Sequence, residues 1–347
     1  MTLQNDLFLR ACRRQGVERT PLWIMRQAGR YLPEYRAVRA SSDFITMCKT
    51  PELAAEVTIQ PVDILGVDAA ILFSDIRVVP EAMGLEWRMV ESEGPRFPHP
   101  VRTRRDVEGL KVADPEKGLR FVMEAIASVK RQLNGRVPLI GFAGAPFTLA
   151  AYMIDGGGSS TFRHTKQMMC DEPETFRLLL AKITESVRLY LEAQIGAGAD
   201  AVQLFDSWAG ILAPDHYLRF GLDPLARIVG TMRKEGRPVI VFPKGANHSL
   251  GVISEIGAEV VGLDWTIDLA EARRLTKDRV ALQGNLDPSI LYSSPESIRK
   301  EVRSILAKYG EGPGHVFNLG HGITPDVPVE HARAMVAAVH EESGRTL

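Results

Sequence analysis

A cluster of arginines is the feature of this sequence with the clearest chemical meaning. Four arginines lie within residues 26–39, with one acidic residue and no lysine among them. A guanidinium group binds a carboxylate or a phosphate through two parallel hydrogen bonds, so the cluster predicts a site for a ligand with several negative charges. The alternative is a solvated surface loop with ordinary ion pairs. The residues at the start of the cluster are Arg26, Gln27, Ala28, Gly29 and Arg30.

A second candidate is Asp75, which ends the apolar run Ala69–Asp75. An inward carboxylate beneath apolar neighbours requires hydrogen-bond donors or a cation. If it is strained by desolvation, its replacement by asparagine would leave the melting temperature unchanged or raise it. The alternative for Asp75 is an N-cap of the helix that follows.

Alternation of side chains along a strand predicts inward residues at the ends of four apolar runs. Asp206, which lies between the inward residues Phe205 and Ser207, would point to the opposite face of its strand. A histidine between two glycines, as His321 is, can be either a ligand contact or a structural residue. The predicted inward sets are Leu22, Ile24 and Arg26; Ile71, Phe73 and Asp75; Phe205 and Ser207; and Phe317, Leu319 and His321.

Tyr152 is a further candidate because of its position in a helix. Pro146 is predicted to begin this helix, and Tyr152 falls near the end of the second turn. Three glycines, Gly156–Gly158, follow the helix. They predict either a mobile flap over the site or a plain flexible loop.

The elements that must position these residues are short apolar runs, each followed by a helical pattern. Such runs are typical of strands that are buried on both faces, and their alternation with helices predicts a parallel sheet. We expect one domain, residues 1–347, folded as a distorted (β/α)₈ TIM barrel with a β-hairpin inserted after strand two, between residues 80 and 100. The site would lie at the carboxyl ends of the strands. A doubly wound open sheet is the alternative. The runs are Pro21–Arg26, Ala69–Asp75, Pro138–Gly144, Ala201–Ser207, Pro238–Lys244, Val260–Trp265, Val280–Leu286 and His315–Gly320.

Composition excludes several classes of protein. The 347 residues carry a net charge of −1, so nothing global indicates a nucleic-acid or membrane partner. The chain has three cysteines, which are too few for a disulfide framework and lack metal-ligand spacing. A cytoplasmic location is therefore expected. The uncharged run Val137–Ile154 contains prolines and glycines that suit a strand, a turn and a helix start better than a membrane span.

Five segments resemble the uroporphyrinogen decarboxylase family. MRQAGRYLPEYR at Met25–Arg36 and GFAGAPFTLAAYMIDGGGS at Gly141–Ser159 are similar to the two signatures of that family. FSDI at Phe73–Ile76, QLFDSWAG at Gln203–Gly210 and FNLGHGI at Phe317–Ile323 resemble three further family segments. The arginine motif is long and specific, and the resemblance extends over nearly the whole chain.

The resemblance implies a homodimeric carboxy-lyase of haem and tetrapyrrole biosynthesis that uses no cofactor and no metal. It would convert uroporphyrinogen III into coproporphyrinogen III and CO₂ by removing the four acetate carboxylates. Asp75 would accept the pyrrole N–H groups and stabilise a protonated pyrrole ring. The proton donor stays open between Arg26 and a bound water. The tetrapyrrole contacts implied are Arg26, Gln27, Ala28, Gly29, Arg30, Asp75, Tyr152, Ser207 and His321, and Phe205 would pack on a pyrrole face.

Three other functions compete with this interpretation. Lys244 ends a predicted strand, where it could form a Schiff base with a carbonyl substrate. A zinc-dependent methyltransferase of the same superfamily would need a His-x-Cys pair, but Gly322 and Ile323 follow His321. A carrier would bind a tetrapyrrole without releasing CO₂.

Overall fold

The computed structural model describes residues 3–344, which form an α/β fold around a parallel sheet. The seven strands of this sheet lie in the order β1-β4-β5-β6-β7-β8-β9, each paired with its neighbours in that order, and β2 and β3 form a separate antiparallel ladder. The strands are β1 (Ala70–Ile71), β2 (Arg88–Val90), β3 (Gly94–Arg96), β4 (Leu139–Gly144), β5 (Ala201–Asp206), β6 (Val239–Pro243), β7 (Val260–Gly262), β8 (Ala281–Gln283) and β9 (His315–Val316).

Helices connect successive strands of the sheet, as the sequence pattern predicts. The α-helices are α1 (Leu7–Cys12), α2 (Pro33–Ser41), α3 (Phe44–Lys49), α4 (Pro51–Leu65), α5 (Val78–Ala82), α6 (Arg104–Gly109), α7 (Pro115–Gly118), α8 (Arg120–Leu133), α9 (Pro146–Asp155), α10 (Arg163–Asp171), α11 (Pro173–Gly196), α12 (Pro214–His216), α13 (Asp223–Met232), α14 (Leu250–Ile253), α15 (Leu269–Thr276), α16 (Pro295–Tyr309) and α17 (Val329–Glu342). A π-helical turn covers Tyr217–Leu222, and short 3₁₀ turns cover Ala209–Ile211, Arg233–Glu235, Asn247–Ser249 and Pro288–Tyr292. Within residues 3–344, no helix is both long enough and apolar enough to cross a bilayer.

The segment before Arg26 connects the two edges of the seven-stranded sheet. The amide of Asp68, just before β1, donates to the carbonyl of Leu22 at 2.8 Å. The amide of Phe317, just after β9, donates to the carbonyl of Pro21 at 2.8 Å. Main-chain hydrogen bonds therefore run from this segment to both edge strands, and the sheet is curled.

The predicted strand Pro21–Arg26 is nevertheless wrong as a regular strand, because Leu22 makes only an isolated bridge to Phe317. Side chains take the amide protons that a ladder would use. The Leu22 amide donates to Asp68 at 2.9 Å, the Ile24 amide to Gln27 at 3.0 Å, and the Met25 amide to Asn318 at 3.0 Å. These bonds satisfy the main chain without a neighbouring strand.

Two apolar clusters lie on the two faces of the sheet. The inner one takes side chains from every strand of the seven-stranded sheet and from α1, which packs against β8 and β9 at their amino ends. The outer one joins the sheet to the surrounding helices. The inner cluster includes Phe8, Cys12, Trp23, Met25, Ile71, Ile140, Phe142, Ala201, Ile240, Phe242, Val260, Ala281 and Val316.

Five side chains that the sequence predicts to face inward lie on the outer face instead. Leu22, Ile24, Phe73, Phe317 and Leu319 all belong to the outer cluster. In Pro21–Arg26 and His315–Gly320 the opposite set of residues faces inward, because Trp23, Met25 and Val316 belong to the inner cluster. In Ala69–Asp75, Ile71 lies in the inner cluster as predicted, but β1 ends at that residue and Phe73 does not follow it. The predicted alternation holds along β5, where Phe205 packs against the inner cluster.

The strands β2 and β3 form a hairpin that packs on the glycine segment after α9. Arg88 pairs with Arg96 across the hairpin. The Phe97 amide donates to the Gly156 carbonyl at 2.9 Å, and the Arg96 guanidinium donates to the Gly158 carbonyl at 3.3 Å. The hairpin therefore holds two of the three glycines through their main chain.

Candidate active site

The Asp75 carboxylate lies just beyond the carboxyl end of β1 and is paired with a cation. The Arg77 amide donates to its Oδ1 at 2.8 Å, and Nη1 of the same residue lies 3.0 Å from Oδ1 and 3.1 Å from Oδ2. The two side chains are 14% and 9% exposed. Asp75 therefore has the cation that an inward carboxylate requires, and the partner is a residue that the sequence did not single out.

Tyr152 of α9 contributes to the same group of side chains. The guanidinium carbon of Arg77 lies 4.7 Å from the centre of the Tyr152 ring and 6.0 Å from that of Trp87. An arginine over an aromatic face is attracted by the ring quadrupole, more strongly when water is excluded. Asp75, Arg77 and Tyr152 therefore form one connected cluster.

Arg26 reaches the carboxyl end of the sheet through a tight turn. Its φ is +65°, a conformation that few residues other than glycine adopt, and the Gln27 amide donates to the Ile24 carbonyl at 2.8 Å. The side chain of Arg26 lies against Gly322, where a Cβ atom would be 2.6 Å from Arg26 Cγ. This close approach explains why a glycine follows His321.

His321 stands among three charged groups from other segments. Burial and then the positive charges of Arg26 and Lys244 together lower the pKa of its imidazole to about 4, while Asp264 opposes them. The imidazole is therefore neutral at pH 7. The Asp264 carboxylate accepts the Gly245 amide at 2.6 Å, which ties together the loops that follow β6 and β7.

Three cations at this end of the sheet lack a carboxylate partner. Among residues 3–344, no acidic side chain forms an ion pair with Arg26, Arg30 or Lys244. Two other arginines of the cluster bind main-chain carbonyls instead: Arg36 lies 2.8 Å from the Arg30 carbonyl, and Arg39 lies 2.5 Å from that of Ser42. Of the four arginines, Arg26 and Arg30 are thus the two whose guanidinium groups stay available to a ligand.

Gln27, Ala28 and Gly29 shape the turn between those two arginines. The Gln27 side chain is fully buried and donates to the Ala69 carbonyl at 3.1 Å while accepting the Ile24 amide. Ala28 packs against the outer cluster. The side chains of Gln27 and Ala28 therefore make contacts within the fold.

The end of β5 places Phe205 and Ser207 half-buried, and Asp206 fully buried on the opposite face. The Phe205 ring contacts Phe142 and Phe242 edge-on. Burial raises the pKa of Asp206 to about 7, although the Thr148 hydroxyl, which donates to Oδ1 at 2.7 Å, opposes the rise. The predicted outward direction of Asp206 is confirmed.

Sequence reasoning missed Arg77 and considered Lys244 only as a nucleophile. Lys244 follows β6 directly, and its position at a strand end was the available signal. Arg77 gives no comparable signal, because its pairing depends on the turn that separates it from Asp75. Within residues 3–344, no group of three His, Cys, Asp or Glu side chains is arranged to hold a metal ion.

Two cavities of about 590 and 740 Å³ lie elsewhere in the molecule. They are lined mainly by segments near the two chain ends, including Arg10, Arg19, Arg303 and Gly344. None of the predicted site residues lines either cavity. The candidate site is therefore identified by the types of its side chains and by their position at the strand ends, not by the size of a cavity.

Unpaired cations and an ion-paired carboxylate at the carboxyl ends of parallel strands are typical of an α/β enzyme that acts on an anion. A family model described as uroporphyrinogen decarboxylase (URO-D) matches residues 3–342. The uroporphyrinogen decarboxylase of Alkalilimnicola ehrlichii is 55% identical over 99% of this chain and 95% of its own length. That of Pseudomonas putida is 55% identical over 99% of this chain and 98% of its own. The chain belongs to the uroporphyrinogen decarboxylase family.

Solved structures support the fold. A methyltransferase from Methanosarcina mazei superposes with a TM-score of 0.83 at 22% identity and covers 98% of this chain and 99% of its own. A B12-independent methionine synthase from Shewanella sp. W3-18-1 gives a TM-score of 0.56 at 12% identity, covering 94% of each chain. At these identities the likeness concerns the fold alone.

Proposed function

We propose that this protein removes the four acetate carboxylates of uroporphyrinogen III and forms coproporphyrinogen III. In each step a ring carbon of one pyrrole takes a proton, and the ring becomes a cation. The bond between the acetate CH₂ and its carboxylate then breaks, its electron pair moves into the ring, and CO₂ leaves. The exocyclic carbon takes a proton to become a methyl group, and the ring releases the proton it gained. Each step therefore consumes one proton and releases one CO₂.

The observation that carries this proposal is the set of cations without carboxylate partners. Arg26, Arg30 and Lys244 lie beyond the carboxyl ends of the sheet, where no acidic side chain of residues 3–344 pairs with them. Such groups favour a ligand that brings its own negative charges. Uroporphyrinogen carries eight carboxylates. Beside the three cations, the neutral imidazole of His321 can form a hydrogen bond with a further oxygen of the substrate.

Asp75 is the group that we assign to the transition state. A carboxylate near the macrocycle centre can accept the pyrrole N–H groups and stabilise the ring cation by its charge in a site with little water. We place Arg26 beside the reacting acetate, where it could also deliver the proton or hold the water that does. Phe205 would pack on a pyrrole face, and Tyr152 and Ser207 would bind carboxylates at the rim.

We also propose a single domain, residues 1–347, whose curled sheet is a distorted eight-stranded (β/α)₈ barrel with β2–β3 as an insertion. The hydrogen bonds of Pro21 and Leu22 to both edges support closure. We propose a cytoplasmic homodimer that needs no cofactor and binds neither nucleic acid nor membrane. The three cysteines, none of them in a disulfide, support a reducing compartment. Sedimentation of the purified protein would test the dimer.

Anaerobic turnover tests the function. The protein is incubated with uroporphyrinogen III or with isomer I, and the products are oxidised to porphyrins and separated. We expect coproporphyrinogen, with CO₂ released. Binding of the tetrapyrrole with no release of CO₂ would instead establish a carrier and refute the proposal.

Lys244 separates the proposal from the Schiff-base alternative. We expect Lys244→Gln to raise KM, because the substituted side chain loses a cation for a substrate carboxylate, and we expect borohydride with substrate to leave the wild-type protein active. Lys234→Gln, at an exposed lysine, is the matched control. Covalent trapping of substrate on Lys244 would contradict the proposal.

A further inference from the structure

Arg77 makes more hydrogen bonds to the Asp75 carboxylate than any other described residue does. It contributes three contacts of 3.1 Å or less to the carboxylate: one from its amide and two from Nη1. Only one residue separates the two, so the pairing belongs to the turn that precedes α5. Because the Arg77 side chain is 9% exposed, water competes little for these hydrogen bonds.

Two other side chains that feel the charge of Asp75 are themselves uncharged. Cys48 of α3 and Tyr190 of α11 feel its charge, and burial raises the pKa of both side chains above their usual range, with the Asp75 charge adding to that rise. Both are therefore uncharged at pH 7. Tyr152 faces the guanidinium of Arg77 rather than the carboxylate. Arg77 is thus the cation that offsets the cost of burying Asp75.

We infer that Arg77 is a positioning residue for the proposed decarboxylation: it fixes the Asp75 carboxylate where the pyrrole N–H groups and the ring cation must meet it, and Tyr152 holds the guanidinium in place. This inference rests on the proposed function. A preorganised charge stabilises a transition state without having to move during the reaction. A carboxylate freed from Arg77 would instead have to be reoriented in every catalytic cycle.

The inference predicts a larger effect on kcat than on KM. Arg77→Met removes the two guanidinium contacts, keeps the main-chain amide that donates to Oδ1, and leaves an apolar side chain of similar length. Since misplacing a catalytic group by about 1 Å can cost about 100-fold, we expect kcat to fall about 10- to 100-fold. KM should change less, because the cations that bind the substrate carboxylates remain. Arg77→Lys keeps a charge near Asp75 and should restore part of kcat, whereas Arg77→Gln should not.

A double-mutant cycle distinguishes positioning from a general loss of structure. Wild type, Asp75→Asn, Arg77→Met and the double variant are compared by anaerobic kinetics with uroporphyrinogen III. If Arg77 acts through Asp75, Arg77→Met should change kcat by less than about twofold in the Asp75→Asn background. Arg104→Met, which removes an exposed arginine paired with Glu108 of α6, is the matched control and should leave kcat unchanged.

Several outcomes would overturn the inference. They are an unchanged kcat in Arg77→Met, a loss of equal size in both backgrounds, and a loss confined to KM. Circular dichroism checks the fold of each variant. If Arg77→Met does not fold, the comparison of Arg77→Lys with Arg77→Gln decides, and equal kcat values in these two variants would contradict a role for the charge. A wild-type protein without turnover would refute the proposed function itself, so the two failures are distinct.

Discussion

The Asp75→Asn substitution should affect activity and stability in ways that the structure specifies. Asparagine is nearly isosteric with aspartate, so packing around the side chain should be preserved. The negative charge that faces the proposed pyrrole cation disappears. Removing one preorganised electrostatic group commonly costs about 10²–10³ in kcat, and we expect a loss of that size.

The same substitution should lower thermal stability, because it changes the partner of a buried cation. Arg77 Nη1 keeps one acceptor, the amide oxygen, but exchanges two contacts with an oppositely charged carboxylate for one hydrogen bond to an uncharged amide. The difference between those two kinds of bond is about 1–2 kcal/mol. For 347 residues the entropy of unfolding is about 0.7 kcal/mol/K, so the melting temperature should fall by about 1.5–3 °C.

Anaerobic steady-state kinetics and thermal melts measure both effects. Asp63→Asn provides the matched control, because Asp63 is an exposed carboxylate that is also paired with an arginine, Arg136. It should change neither kcat nor the melting temperature measurably. If Asp75→Asn kept more than about a third of the wild-type kcat, the carboxylate would not stabilise the transition state. A rise in melting temperature would refute the stabilising pair with Arg77.

Four further substitutions test other parts of the site. Gly322→Ala should displace Arg26 and raise KM about tenfold in the same kinetic assay. Arg26→Lys should also raise KM, because lysine keeps the charge but loses the planar fork. His321 has its pKa lowered to about 4, so the unfolded chain binds a proton that the folded one does not as the pH falls below about 6.5. Between pH 7.5 and pH 5, the free energy of unfolding measured with urea should fall by up to about 2 kcal/mol more for the wild type than for His321→Gln. Asp206, whose pKa is raised to about 7, should give a pH dependence of stability of the opposite sign. The free energy of unfolding of the wild type should fall as the pH rises from about 4 through 7. That of Asp206→Asn should fall less in the same unfolding assay.

Much of the fold could be predicted from apolar runs. All seven strands of the main sheet lie within runs that the sequence indicates. The helix α11 carries an apolar stripe, with Phe176, Leu179 and Ile183 buried. α16 begins after Ser294, whose hydroxyl accepts the Ser297 amide at 3.3 Å; serine is favoured just before a helix and proline in its first turn. Burial on both faces makes such runs visible because nearly every residue is apolar.

The segment Pro21–Arg26 shows why the rest could not be predicted. Its composition is that of a strand, but Asp68, Gln27 and Asn318 take its amide protons. Those partners are distant in sequence or lie beyond the run, and no local pattern reveals them. Tertiary hydrogen bonds therefore override the local preference.

The candidate site shows the same limit at the level of single side chains. Arg26 was identified through the arginine cluster, but it reaches the site through a turn with φ of +65° rather than through strand alternation. Asp75 lies beyond the end of β1, and its partner Arg77 reverses the expected sign of the stability change in Asp75→Asn. Ion pairing across a turn depends on backbone geometry that residue types alone do not specify.

The most direct test of the account is a structure of the protein crystallised anaerobically with coproporphyrinogen III. We expect the four pyrrole nitrogens to lie within hydrogen-bond distance of the Asp75 carboxylate, and the propionates to lie on Arg26, Arg30 and Lys244. Asp75 should keep its contact with Arg77 in that complex. A macrocycle bound away from Asp75, or bound with these three cations left in solvent, would contradict the assignment of the site.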